Sequence, residues 1–273
     1  MKYTLNIIIG LFAITLWSCD TIEGPYMVKP NIDSIGDTYE TIVVFEFTGW
    51  NCPYCYLGHE AISELEDFYP DRIKAIAIHA GGFAEPGNDG PDYRCETSNA
   101  LFQKFGSPGE FPTGAINSLN GFDLDSPTAW SSIVSSELTS TKNSPEVYLE
   151  LNISHSVNTV NANIIGKFAT DLEGTYNLCA YIIEKGIIAP QNKLGTIIEE
   201  YEHQNVLRGS MVNGIIGENV SINPNSGKVF GFEYSFEISD PEWIVDSLEV
   251  IPFLYNIETN YILKTKYIKP KTE

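Results

Sequence analysis

Beyond its first residues the sequence has no hydrophobic stretch long enough to cross a bilayer, which takes about 20 residues. No alternating ten-residue pattern repeats often enough for a membrane barrel either. Basic residues are scarce: 16 Lys and Arg stand against 36 Asp and Glu, a formal charge of −20. Such a balance argues against nucleic acid as a partner and against adhesion to anionic lipid through the fold itself. Its ordinary meaning is a solvated surface, and no D-x-D-x-D-G loop accompanies it to point to calcium. The P-loop, the dinucleotide fingerprint and the nucleophile elbow are missing, and no cofactor is expected. Cysteine is rare, five in 273 residues, and only two of the five stand close together.

Those two form Cys52-Pro53-Tyr54-Cys55, directly after the apolar run Thr41–Thr48. A C-x-x-C pair between a buried strand and a helix is where thioredoxin-like proteins keep their redox chemistry. The helix expected from about Pro53 to Phe68 aims its free N–H groups and positive dipole end at Cys52, which favours a thiolate. Glu46 breaks the run of Ile42, Val43, Val44, Phe45 and Phe47, and a carboxyl buried there has its own pKa raised. It stands six residues before Cys52, where thioredoxins place the acid that exchanges a proton with the second thiol; a structural carboxylate or a water-facing edge position is the alternative. Phe111-Pro112-Thr113 follows a short helix and precedes a strand, the place for a cis proline that packs on the cysteine pair and pairs with a substrate chain. Trp50, Pro53, Tyr54, Phe111, Thr113 and His79 are the expected lining of a substrate groove, His79 together with the Gly- and Pro-rich segment 81–94. His59, one turn after Cys55, either tunes the thiols or is a packing or solvent-facing histidine. Cys95 and Cys179 are read as isolated thiols, with Cys95 as a third, resolving thiol the alternative. Zinc on Cys52, Cys55, His59 and Cys95 has suitable spacing only in part.

The chain start reads as an export signal: Lys2, an apolar Ile7–Trp17 run, then Ser18-Cys19. Leu16-Trp17-Ser18-Cys19 resembles a bacterial lipobox, so residues 1–18 are expected to be removed and Cys19 to carry lipid, a stable anchor once two or more long chains are attached. Residues 19–37 lack periodicity and read as a tether. From residue 38 to 142 strands and helices alternate. After a Ser/Thr/Asn/Pro break near 143 the period changes to two, with strands at 147–153, 159–165, 176–183, 227–238, 247–255 and 261–268. The expected fold class is an α/β thioredoxin-like domain (38–142) followed by an all-β, immunoglobulin-like antiparallel sandwich (145–273).

Three segments together, Phe47–Glu60, Ile76–Gly82 and Glu110–Gly114, resemble a family of outer-membrane lipoproteins of Bacteroidota-type bacteria, named for a twenty-eight-kilodalton outer membrane protein. Tyr201–Arg208 and Val250–Asn256 are similar to that family's C-terminal half. The resemblance implies a thioredoxin-like domain, a β-rich domain and attachment to the outer membrane, on its periplasmic or its cell-surface face. Two functions are expected. The first is thiol–disulfide exchange with a protein thiol or disulfide partner, Cys52 attacking and Cys55 resolving. The alternative is a surface adhesin or binding protein in which Cys52–Cys55 is structural and the sandwich, with loops such as 201–208, meets the partner.

Overall fold

The computed structural model describes residues 38–268 apart from 88–89, 108, 121–122, 140–144, 239 and 241. The signal segment, the tether, Cys19 and the break near 143 lie outside the described residues.

The chain begins with β1 (Thr38–Thr48), α1 (Tyr56–Phe68), β2 (Ile73–His79), α2 (Glu96–Phe105), β3 (Thr113–Ile116) and α3 (Pro127–Thr139). From Thr41 on every residue of β1 is buried, because alternate side chains enter different cores. Ile42 and Val44 meet Ile62 and Leu65 of α1 and Trp130 and Val134 of α3. Val43, Phe45 and Phe47 meet Leu101 of α2 and a second apolar layer from the far end of the chain. A strand covered on both faces reads as a continuous apolar run. The helices follow from local rules. Pro127 opens α3, where its missing N–H costs nothing. Trp130, Val134 and Leu138 recur at helical spacing on α3's buried side. The Cys95 sulfur and the Ser98 side chain cap α2 reciprocally.

The remaining strands are β4 (Val147–His155), β5 (Thr159–Phe168), β6 (Thr175–Glu184), β7 (Ile187–Lys193), β8 (Thr196–His203), β9 (Val206–Ser210), β10 (Glu218–Ile222), β11 (Val229–Glu237), β12 (Leu248–Asn256) and β13 (Thr265–Ile268). Here the expected fold class is corrected. The protein is mostly β, and eleven strands form one mixed, nearly closed barrel-like sheet in the order β10-β6-β9-β2-β1-β13-β4-β5-β11, with β12 on β6 and β3 on β1. It is not a thioredoxin-like domain joined to an immunoglobulin-like sandwich. Thr38–Thr41 of β1 pair antiparallel with Thr265–Ile268 of β13, and Ala77 of β2 pairs in parallel with Val206 of β9. β6 then divides two cores: Leu178, Ala180 and Ile182 face one, Cys179, Tyr181 and Ile183 the other. The period-two strands were legible, but a strand's partner is a tertiary choice that its own alternation does not encode.

Residues 187–222 carry a second correction. The sequence shows no strand pattern there and presents 201–208 as a loop, whereas β7 and β8 form a separate two-stranded hairpin and β9 and β10 join the main sheet. β7 contains Pro190, and nearly all of β8 is exposed, so no buried-face alternation marks either strand.

Candidate functional site

The chain leaves β1 at Gly49, where a Cβ would sit 2.5 Å from the Phe83 carbonyl; the close backbone approach requires glycine. Cys52 and Cys55 follow as a disulfide with Cα atoms 5.4 Å apart. Cys55 is the N-cap of α1, so the pair stands at the helix N-terminus. Both cysteines are buried, Cys52 at 1% and Cys55 at 0% exposure.

Beneath the pair, one turn into α1, stands Gly58. A Cβ there would overlap Glu46 Oε1 and lie 3.1 Å from Pro112 Cβ. The glycine thus lets the helix, the β1 carboxyl and the Phe111–Pro112 loop meet. The Phe111–Pro112 bond is cis. Glu46 is fully buried, and neither of its carboxyl oxygens has a hydrogen-bond partner among the described residues. Burial pushes its pKa up to about 8, against a smaller lowering from the nearby Thr48 side chain. His59 Nε2 lies 3.7 Å from Glu46 Oε1 and 3.0 Å from Thr48 Oγ1. His59 Nδ1 lies 2.9 Å from the Tyr201 hydroxyl. Burial, reinforced by neighbouring His203, lowers the His59 pKa to about 3. At neutral pH the two groups therefore meet as a carboxylic acid and a neutral imidazole, not as an ion pair.

Above the pair lies the β7–β8 hairpin. The Asn192 N–H donates to the Trp50 carbonyl at 2.7 Å and the Leu194 N–H to the Pro53 carbonyl at 2.9 Å. Buried Gln191 donates through Nε2 to the Cys52 carbonyl at 3.2 Å. Lys193 reaches Glu60 at 3.0 Å and lies over the Tyr56 ring. The hairpin thus closes over the cysteine loop from a segment about 140 residues away in sequence.

The residues expected to line a groove are dispersed by this arrangement. Trp50 is buried and donates its indole N–H to the Glu85 carbonyl at 2.8 Å. Pro53 is half-buried beneath the hairpin, and Tyr54 is 55% exposed. Phe111 packs between Phe83 and Phe102, and Thr113 is buried at the start of β3. His79 does not wall a groove: it is buried against Tyr93 and His203.

Tyr201, His203 and Arg208, from the segment expected to be a loop, extend that buried cluster. His203 contacts the rings of His59, His79, Tyr93 and Tyr201. Arg208 lies over Tyr93 and pairs with Glu184 at 2.7 Å. Burial lowers the pKa of His203 to about 4 and that of His79 well below its ordinary value. Gly58 and Gln191 were missed as site residues, and Tyr201 and His203 were expected in a partner-contacting loop rather than beside the cysteine pair; the histidines of α1, β2 and β8 were the available signal.

Cys95 and Cys179 are free thiols, and burial pushes both thiol pKa values up. The zinc set is not assembled. Two of its members are joined in the disulfide, Cys95 caps α2, and no group of three or more potential ligands is found among the described residues. Elsewhere, a cavity of about 730 Å³ lies beside the inward row Ile153, Ala162 and Tyr234 of β4, β5 and β11, with Met211, Val212 and Glu218 across it.

No curated protein matches the chain. Among solved structures, HBP35 of Porphyromonas gingivalis superimposes with a TM-score of 0.65 at 20% identity, covering 87% of this chain and 79% of that one; the likeness is one of fold. A crystal structure from Agrobacterium tumefaciens reaches a TM-score of 0.46 at 10% identity, over 85% of this chain and 96% of that one. The model of the family described as "Outer membrane protein Omp28" matches residues 98–272. The match spans well over half of the chain and begins after the cysteine pair. The chain belongs to the Omp28 outer membrane protein family and is a protein of the outer membrane.

Proposed function

We propose that this outer-membrane protein carries out thiol–disulfide exchange through Cys52 and Cys55, from a resting form in which the β7–β8 hairpin covers the pair. The observation that carries the reading is Glu46. A buried carboxyl without a hydrogen-bond partner among the described residues costs stability, and strongly shifted carboxyls concentrate at sites of chemistry. A disulfide that only staples the chain needs no such group one helical turn below it.

In the proposed reaction a partner thiolate attacks Cys52 Sγ. The Cys52–Cys55 bond breaks, a mixed disulfide forms, and Cys55 leaves as a thiolate that takes the Glu46 proton. A second partner thiolate then attacks the partner sulfur of the mixed disulfide, releasing Cys52 as a thiolate. The partner dithiol is oxidised and the Cys52–Cys55 pair reduced; the reverse sequence reduces a partner disulfide, with Cys55 returning its proton to Glu46. Pro112 and Thr113 present backbone to the partner, and Pro53 and exposed Tyr54 border the place it would occupy once the hairpin lifts. No cofactor is required. Acylated Cys19 would hold the protein to the membrane.

The test is the reduction potential of the pair, measured on soluble chain starting after Cys19 by alkylation mass shift across defined redox buffers. Exchange requires a value in the catalytic range, roughly −120 to −270 mV. Cys52→Ser should abolish exchange and Cys55→Ser should accumulate mixed disulfides. A potential below about −300 mV, with no mixed disulfide in Cys55→Ser, overturns the proposal.

That outcome would favour the second reading, a surface-binding protein with a structural disulfide. The near-complete burial of both cysteines supports it, and the cavity beside Ala162 and Tyr234 offers a volume typical of ligand sites.

A further inference from the structure

A second, much smaller cavity, of about 50 Å³, lies between α1 and the bend joining β8 to β9. Glu46, His59, Ile62, Ser63, Glu66, Gln204 and Asn205 line it. Four of these, His59, Ile62, Ser63 and Glu66, are spaced three, four and seven residues apart and so form one stripe of α1. Ser63 and Gln204 are exposed, whereas Glu46 and Asn205 are buried. The space therefore runs from the buried carboxyl to the surface.

Two independent features coincide there. Both Glu46 carboxyl oxygens and Asn205 Oδ1 lack hydrogen-bond partners among the described residues, and both residues border this same space. Asn205 is held in place: its Nδ2 donates to Glu66 Oε1 at 3.1 Å, and its carbonyl accepts from the Ala77 N–H at 2.8 Å. Buried polar groups left without protein partners are ordinarily satisfied by water, and a polar cavity of this size has room for one water or two.

We propose that this cavity holds ordered water joining Glu46 to Asn205 and Glu66, and that it is the route by which the Glu46 carboxyl exchanges its proton with solvent. The role deepens the exchange reading and rests on it. Glu46 gives its proton to the departing Cys55 thiolate and regains it from Cys55 when the pair is reoxidised, and the passage lets the buried carboxyl reset its protonation with solvent between these steps. With the hairpin above and α1 packed beside it, the carboxyl has this passage as its way out. In either direction the proton passes between Glu46 and the outer carboxyl of Glu66, beside exposed Ser63, through the ordered water, while Asn205 Oδ1 accepts a hydrogen bond that orients that water. Burial holds the Glu66 pKa above its ordinary value, so both ends of the passage bind protons more readily than a free side chain. His59 is a wall and a positioning residue, its imidazole neutral.

The experiment is infrared difference spectroscopy of the oxidised full-length soluble chain on transfer to heavy water. Glu46→Gln identifies the Glu46 carboxyl band. In the wild type that band should shift at once. Ser63→Leu, a change at an exposed helix position, plugs the outer mouth and should slow the shift by roughly tenfold or more, leaving exchange to rare local opening. Glu66→Gln keeps the shape, removes the outer proton acceptor, and should slow the shift to a smaller degree. Equal deuteration rates in wild type, Ser63→Leu and Glu66→Gln would overturn the route, as would a dry cavity in a high-resolution crystal structure. The reduction potential separates this result from the function it serves. Slowed deuteration with a potential below the catalytic range retains the water passage and removes the exchange reading. Unchanged deuteration with a catalytic potential removes the passage alone.

Discussion

Glu46 is the residue whose chemistry and cost are most tightly joined. Burial raises its pKa from 4.5 to about 8, so between those values the folded protein keeps a proton that the unfolded chain releases. Stability then falls as pH rises through that window, by a few kcal/mol at most for this group. Urea midpoints measured from pH 6.5 to pH 8, above the range in which the histidines titrate in the unfolded chain, should show that decline, and Glu46→Gln should remove it. An unchanged slope in the variant would mean that the carboxyl is already satisfied and ionised. Gly58 is the complementary case. Gly58→Ala puts a methyl onto Glu46 Oε1 and close to Pro112. Helix propensity favours alanine, but overpacking against a buried carboxyl should prevail and destabilise by about 1–3 kcal/mol, read from the same denaturation curves. At this scale the sequence was informative, because Cys52, Cys55, Glu46 and Pro112 belong to short local patterns. It was silent about Gln191, and it offered Tyr201 and His203 only as part of a partner-contacting loop, not as neighbours of the cysteine pair. All three reach the site through tertiary contacts spanning more than a hundred residues, which no local pattern encodes.

Among the elements, the β7–β8 hairpin is the one that bonds to the cysteine loop and, on the exchange proposal, would govern access to it. Its strands carry exposed Ile188, Ile197 and Ile198, and its only described sheet pairing is internal. Its hold on the cysteine loop is a handful of hydrogen bonds, each worth about 0.5–1.5 kcal/mol net. Gln191→Ala removes the donor to the Cys52 carbonyl and should speed reduction of the disulfide by a small-molecule thiol severalfold, up to about tenfold. An unchanged rate would show that the pair is reached without moving the hairpin. The elements themselves differed in legibility for physical reasons. β1, β2, α1 and α3 advertise themselves because their apolar residues recur with the period of the surface they bury. β7 and β8 have almost no buried face, so pattern reading had nothing to detect. β13, four residues long, falls inside the strand expected at 261–268, but its pairing with β1 and β4 is a tertiary choice the pattern did not show.

For the whole molecule, the interleaved sheet makes a mechanical claim. β1 takes a partner from the last described residues and β2 takes one from β9, so removing residues 145–273 removes partners of both. Calorimetry should find one cooperative unfolding transition; two separable transitions would argue for units that the sheet does not join. The pH dependence is also collective. His59, His79 and His203 are held neutral below their ordinary value of 6.5, so acidification favours the unfolded chain, which takes up three protons that the folded one refuses. Glu46 works in the opposite sense. For these four groups together, stability rises with pH up to about 6.5 and declines from there toward 8. A melting temperature that keeps rising from pH 6.5 to pH 8 would contradict that balance.

The cover over the cysteine pair also has a consequence in time. Cys52 and the Gln191 that closes over it are separated by 139 residues, and a polypeptide delivered to its compartment N-terminus first exposes the two thiols long before the hairpin exists. If the pair exchanges as proposed, the bond between them can form on the unfinished chain, whereas a later reaction at the same sulfurs meets the folded hairpin. Maturation and service are thereby separated. On that proposal the first oxidation would be ungated, and each subsequent one would wait for the hairpin to lift.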